Sequence, residues 1–582
     1  MTSTLIRRIL KFGAKLQDQL LKQQSRHASI NTIQHYFPAP KKGEHIIDSP
    51  FGQLSYPEMP IHEYVWETLQ SYSHMIATEC GVTGRKYTYA QARDYSSYIA
   101  RSLLDMGLKP GDVLAIILPN LPESPIAFLG CLEAGIVITT VNPIYTVDEI
   151  SKQLISSGAK AVITSTEIAE TVKSAMKQSM PGAKLIVVDD QVNSMPSDAI
   201  PFEDLITKGK TLSVPSSRDF AFDNVAVLPY SSGTTGLPKG VMLSHRNIVA
   251  NLKMMADTLK DDVLVPSNGV FQQIIPVILP MYHIYGMVTV MLSKMTTGGK
   301  LITLPKFTPE SYVRVLERNP VTELMLVPPI VLFLTSSKLV KKHFLDHVTY
   351  ITSGAAPLSD TDVERFYEKF SIARDKLKFR QGYGMTESSP VSLYEKTGTK
   401  YSSIGRPICG CQARLVDPIT KKDVTTPRQT GELWIRGPHV MKGYLNNQKA
   451  TEETLQDGWL LTGDIAYFDE DSDFFITDRL KELIKVKGFQ VAPAELEALI
   501  RTHPNVEEAG VVGIPDDRSG EVPMAFVVLK EKGATKTEEI QDFVKGKVSE
   551  FKELRGGVQF VDSLPKNPSG KILRKKLKAL LE

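Results

Sequence analysis

The chain has 582 residues, 42% of them apolar and 23% charged, with a formal net charge of +3. That length exceeds what one hydrophobic core organises, so two or more domains are expected. The near-neutral balance gives no case for nucleic acid as a partner, and the four scattered cysteines (Cys80, Cys131, Cys409 and Cys411) are too few for a disulfide framework, which fits a reducing compartment.

Residues 1–45 have a character of their own. Within the first thirty, Arg7, Arg8, Lys11, Lys15, Lys22 and Arg26 stand against a single acid, Asp18. Wound as a helix, the segment gathers Leu5, Ile6, Ile9, Leu10, Phe12, Leu16, Leu20 and Leu21 on the opposite face. A basic, acid-poor amphipathic helix is what a mitochondrial transit peptide looks like; a membrane-surface helix or one docked on the body are the other readings. The C-terminus lacks a peroxisomal Ser-Lys-Leu address.

The globular part is expected from residue 46. The pattern predicts a helix over 89–106, a turn at Lys109-Pro-Gly-Asp, a strand over 113–118, a helix over 127–134 and strands over 136–141 and 185–189. This alternation predicts an α/β fold with parallel-rich sheets flanked by helices.

Next comes Tyr230-Ser-Ser-Gly-Thr-Thr-Gly-Leu-Pro-Lys-Gly-Val241. Four hydroxyls, three glycines and one cation in a bent loop can present backbone N–H groups and Lys239 to a phosphate chain. A strand over 225–229 before it and a helix opening at 244–247 after it place the loop where a strand hands over to a helix, a good anion site. It is not a Walker loop, since Gly240 follows Lys239; a Ser/Thr/Gly cluster alone is also an ordinary loop.

Residues 263–293 hold no Asp, Glu, Lys or Arg. Pro266, Pro276 and Pro280, with Gln272, Gln273 and His283, argue for buried core beside a pocket, and no transmembrane segment is expected. Further on, Ser353-Gly-Ala-Ala-Pro357 follows an expected strand at 348–351, and its small residues would admit a flat ring to the backbone. In Gln381-Gly-Tyr-Gly-Met-Thr-Glu387, Tyr383 offers a ring, Thr386 a hydroxyl and Glu387 an oxygen ligand for a hard cation; Thr386 as cap and Glu387 in a first helical turn is the structural alternative. Residues 408–416, Cys409 and Cys411 included, alternate like a strand. Asp464, expected just after a strand, suits ribose hydroxyls. Phe475 to Gln490 is a charged run that on its own reads as a solvated face. The last hundred residues read as a small α/β unit, with a helix over 494–502 and strands over 506–512 and 524–529. In the closing Lys566-Asn-Pro-Ser-Gly-Lys571, Pro568 and Gly570 make a turn that projects Lys571.

These motifs, in this order over residues 46–582, resemble the adenylate-forming superfamily of acyl-CoA synthetases, 4-coumarate–CoA ligases and firefly luciferase. The resemblance implies a large N-terminal ATP- and acyl-binding domain over 46–478 and a small mobile C-terminal lid over 479–582, hinged at Lys481. It implies an ATP-dependent carboxylate–CoA ligase that makes acyl-adenylate and pyrophosphate, then acyl-CoA and AMP. The substrate expected is a medium-chain fatty acid or an aryl-propenoic acid. A luciferase-like monooxygenase, a carrier-loading enzyme and a non-catalytic nucleotide-binding relative are the alternatives.

By the same resemblance, ATP or AMP would be held by Ser231, Ser232, Gly233, Thr234, Thr235, Gly236, Lys239, Ala355, Gln381, Gly382, Tyr383, Thr386, Asp464, Arg479, Lys481 and Lys571, and Mg²⁺ by Glu387. Lys306, Lys487 and Gly488 would meet CoA, although an ordinary surface role fits Lys306 as well. Tyr285 and Gln490 would line the acyl-adenylate. Lys571, His283, Lys485, Thr386 and Glu387 would carry the chemistry, and Gly286, Gly354 and the segment after Glu387 would border the acyl pocket.

Overall fold

A computed structural model describes residues 31–213, 221–231, 238–260, 266–480, 482–486, 489–516, 518–545, 547–566 and 570–581. The amphipathic segment over 1–30, residues 232–237 of the glycine-rich loop, Lys481, Lys487 and Gly488 lie outside them, as do the side chains of Arg479 and Gln490.

The expected alternation is present. Six parallel strands run in the order Ile200–Pro201, Lys184–Val188, Ala159–Ser165, Val113–Ile117, Val137–Thr140 and Val225–Val227. Their near-continuous apolar character follows from burial on both faces. The helices between them start where local chemistry dictates. Thr88 and Gln91 form a reciprocal cap on Tyr89–Asp105, and Thr146 and Glu149 do the same for Val147–Ser157, which ends at left-handed Gly158.

A second sheet orders Glu323–Leu326, Tyr350–Ser353, Lys378–Gly384, Val391–Tyr394 and Arg406–Pro407, with the first three parallel. A third joins Ile274–Val277, Lys300–Thr303, Ile76–Cys80 and Lys86–Thr88. An antiparallel sheet built on Gln412–Val416, Gly431–Arg436 and Trp459–Phe468 ends with Phe474–Arg479, the last strand of the large domain. The C-terminal unit has its own sheet, on the hairpin Val506–Asp516 and Gly520–Leu529, and its own apolar core. Among the described residues, no helix is long and apolar enough to cross a membrane; the charge-free stretch packs as the strand Ile274–Val277 and the wide helical segment Tyr285–Leu292.

Several expectations change. The ordered body begins before residue 46: Thr32–Gln34 pairs with Ser55–Pro57, and Glu44 bonds Arg414 at 2.9 Å. The glycine-rich loop joins two antiparallel strands, Tyr230–Ser231 and Lys239–Ser244, and the helix His245–Leu259 starts only after the second. The loop therefore connects two paired strands and not a strand to a helix. Cys409 and Cys411 lie in a buried turn around left-handed Gly410, because the strand starts at Gln412. Asp464 sits inside the strand Trp459–Phe468, beside a bulge at left-handed Gly463, and Met385 rather than Thr386 stands at the N-cap position of the short turn Thr386–Ser388, its N–H donating to Ser388 Oγ at 3.2 Å.

Candidate active site

A cavity of about 750 Å³ opens where the sheets of the large domain meet the C-terminal unit, a size suited to a drug-sized ligand. Ser231 and Lys239 line it from the two strands that flank the glycine-rich loop. Thr386 and Glu387 line it from the turn after Lys378–Gly384, where Gly382 and Tyr383 reach it as well. Ala355 enters from the loop after Tyr350–Ser353, held at φ 68°, a left-handed conformation that a side chain adopts at some cost in strain.

The large-domain groups are tied to one another by hydrogen bonds. Glu387, buried, accepts on Oε1 from the Ser231 hydroxyl at 3.0 Å and from the Tyr444 hydroxyl at 2.9 Å. Both bonds go to one oxygen, and among the described residues none is recorded on Oε2. A fixed carboxylate with a spare oxygen suits Mg²⁺, which takes one or two carboxylates and completes its shell with phosphate and water. Lys239 Nζ lies 4.7 Å from the centre of the Tyr444 ring, so that ring steadies both the cation and the carboxylate. Burial, then the Glu387 charge, push the Tyr444 hydroxyl well above its usual pKa, so it stays a donor. The Tyr383 hydroxyl donates to Asp464 Oδ2 at 2.6 Å, and Asp464 is the strand partner of Arg479.

A second arm of the cavity is lined by both apolar and polar groups. His283 and Tyr285 face it from the segment that opens Tyr285–Leu292. Burial lowers the pKa of His283 to about 4, so the ring is neutral at pH 7, and its Nδ1 accepts from the Tyr285 N–H at 3.3 Å. A Cβ on Gly354 would come within 3.1 Å of the Tyr285 ring, so the absence of a side chain there leaves the ring its place. Pro390 and Val391, after Glu387, line the same arm; Gly286 does not.

Lys571 completes the cavity from the C-terminal unit. An isolated bridge between Lys566 and Ile572 closes the turn that carries it. Gly570, at φ +82°, brings that turn against the large domain, and a Cβ there would sit 3.0 Å from Pro329 Cγ. Arg574 ties the base of the turn to Glu497 at 2.7 Å and to Glu482.

Besides Gly286, four predicted residues do not line the cavity, Asp464 among them, which is tied to it through the bond from Tyr383. Lys306 and Lys485 are exposed and do not line the cavity. The Gln381 side chain turns to the backbone of Leu358, accepting from its N–H at 2.9 Å and donating to its carbonyl at 3.1 Å, so it shapes the loop before the site and does not face it. Sequence reasoning missed Tyr444, Thr462, Lys566 and Lys576, all in the lining. Tyr444 arrives through pairing of Gly443–Tyr444 with Lys239–Ser244, a long-range register with no local signature.

Fold and site together define an adenylate-forming enzyme. The AMP-binding enzyme family model matches residues 65–445, and that of the AMP-binding enzyme C-terminal domain matches 495–571. 4-Coumarate–CoA ligase 2 of Nicotiana tabacum is 40% identical over 532 residues, covering 90% of this chain and 94% of the relative. 4-Coumarate–CoA ligase 1 of Solanum tuberosum is 39% identical over 552 residues, covering 93% and 97%. Among solved structures, ATP-bound MatB from Rhodopseudomonas palustris superposes with a TM-score of 0.79 at 27% identity, covering 90% of this chain and 99% of that one. A benzoate CoA ligase from Burkholderia xenovorans LB400 superposes at 0.77 and 26% identity, covering 89% and 99%. The chain belongs to the adenylate-forming superfamily that includes acyl-CoA synthetases and 4-coumarate–CoA ligases. Its enzyme class is that of the acid–thiol ligases that form AMP and diphosphate.

Proposed function

We propose that this protein is a carboxylate–CoA ligase acting on a medium-chain fatty acid or an aryl-propenoic acid. In the first step a carboxylate oxygen bonds to the α-phosphorus of ATP, the bond from that phosphorus to the bridging oxygen breaks, and diphosphate leaves. In the second, the sulfur of CoA attacks the acyl carbon, the thiol proton is lost, and AMP leaves with the electron pair of the broken C–O bond.

The observation that carries this reading is the presence of Lys571 in the same cavity as Ser231, Lys239, Thr386 and Glu387. Two anions must meet in the first step, and positive charge aimed at the α-phosphate lowers that barrier. Lys239 comes from the large domain and Lys571 from the small one, so docking of the small domain assembles the charge. Glu387 would hold Mg²⁺, which when bound supplies charge neutralisation on the phosphate oxygens. His283, being neutral, orients the acid without competing for its charge. Lys485 points to solvent in this arrangement, which supports a lid that turns about Lys481 to present Lys485, Lys487 and Gly488 to CoA.

The test is ATP–pyrophosphate exchange followed by CoA-dependent AMP release over a panel of carboxylic acids. Acid-dependent exchange and stoichiometric acyl-CoA are expected; exchange without CoA-dependent release would overturn the ligase reading. We further propose mitochondrial import directed by the basic amphipathic segment over 1–30. Residues 1–45 fused to a fluorescent protein should carry it into mitochondria, and a diffuse signal would refute this.

A further inference from the structure

The acyl arm does not end in hydrocarbon. At its inner end Lys294 and Glu323 both line the cavity, joined Nζ to Oε2 at 2.6 Å, with side chains only 3% and 2% exposed. They come from separate elements, Lys294 from the short helix Ser293–Thr296 and Glu323 from the first position of the strand Glu323–Leu326. Glu323 and Met325 alternate onto the cavity face of that strand. Met325 is in register with Thr352, so Gly354 lies level with residue 327. Glu323 is four residues below that level, ~13 Å along the strand from Gly354 and the Tyr285 ring beside it, at 3.3 Å per residue.

Packing does not explain a charge pair there. Taking two charges out of water costs more than their attraction returns unless other bonds complete the site, and apolar residues of similar volume are often as stable. The site is not complete. Among the described residues, the 2.6 Å contact is the one hydrogen bond recorded for either side chain, although an ammonium has three donors and a carboxylate about four acceptor positions. Thr289 also faces the cavity, is 5% exposed, and its hydroxyl has no partner. Donors and acceptors withheld from water and left short of partners suit a polar group brought in by a ligand.

Building on the ligase reading, we propose that Lys294, Glu323 and Thr289 form a recognition site for the far end of the acid, and that the preferred substrates carry a hydroxyl group there. A hydroxyl both donates and accepts. It donates to Glu323 and accepts from Lys294 or Thr289, and a methyl terminus can do neither. Such a site selects by penalty as well as by gain, because an acid without the hydroxyl fills the arm and leaves buried polar groups unpaired.

The experiment compares kcat/KM for medium-chain alkanoic acids with their ω-hydroxy counterparts, and for aryl-propenoic acids with and without a 4-hydroxyl group. At the best-fitting length the wild-type enzyme is expected to favour the hydroxylated partner about 10- to 100-fold, mostly through KM. Replacing both members of the pair, Lys294→Met with Glu323→Leu, avoids stranding one buried charge and should reverse the order. Thr289→Val, which leaves the pair intact, should narrow the preference severalfold. Wild-type preference for the unsubstituted acids at every length overturns the proposal while leaving the ligase reading intact. An unchanged hydroxyl preference in the double variant assigns the recognition elsewhere and also overturns it. Absence of acid-dependent AMP release with every acid removes the ligase reading and this proposal with it.

Discussion

Two lysines of the small C-terminal domain stand in opposite surroundings. Lys571 reaches into the cavity, on a turn seated against Pro329 of the large domain. Lys485 lies exposed on the strand Ile484–Val486, its backbone N–H bonded to Glu521 at 2.9 Å, and is absent from the cavity lining. On the proposed ligase reading, the difference would mean that this arrangement serves adenylate formation and that the thiol step calls for another orientation of the same domain.

The comparison can be broken most forcefully at Lys571. Lys571→Ala should lower ATP–pyrophosphate exchange by ~10²–10³, the scale for losing one positioned charge stabiliser, while a fall of less than about tenfold would show that the docked pose is not the adenylating one.

Acid should distinguish the two domains next. Burial holds His245 and His439 at a pKa of about 3 and His283 at about 4, all in the large domain. These values are lowered from 6.5, so the unfolded chain takes up protons first, and stability is lost as pH falls from 6.5 towards 3–4. For His245 and His439, which are 4% and 0% exposed, the loss between pH 6.5 and 5 is roughly 2 kcal/mol each. Calorimetry should show the large-domain transition moving down over that range, equally in wild type and in Lys571→Ala. A pH-independent transition would contradict the neutral burial of these rings.

Gly570→Ala should act through pose alone. Its φ of +82° and the 3.0 Å approach to Pro329 strain any side chain, by about 1–2 kcal/mol. Exchange is expected to fall about tenfold, with thiolysis of supplied acyl-AMP unchanged. Arg501→Ala removes an interdomain pair with Asp362 at 3.1 Å. As a partly solvated pair it is worth up to about 1 kcal/mol, so exchange should fall two- to fivefold and thiolysis should not; a fall in both would place the pair outside the docking equilibrium.

Contiguous features were legible in the chain. The strand–helix alternation and the order of the motifs could be read because each depends on neighbours in sequence. The helix at 89–106 is recorded at Tyr89–Asp105, with its cap at Thr88. What could not be read depends on register between distant segments. The strand pair that flanks the glycine-rich loop follows from Tyr230 pairing with Gly240, whereas residues 244–247 suggested a helix beginning directly after the loop. Asp464 was expected after a strand, but the ladder continues past the bulge at Gly463 to Phe468. The Lys294–Glu323 pair joins residues 29 positions apart, and only the folded chain shows that both close the same cavity.

The most direct measurement is a crossed one: both half-reactions, exchange and thiolysis of supplied acyl-AMP, in Lys571→Ala and in Lys485→Ala. The account predicts opposite patterns, with Lys571→Ala losing exchange and keeping thiolysis, and Lys485→Ala keeping exchange and losing thiolysis. Equal loss of both half-reactions in each variant would contradict it.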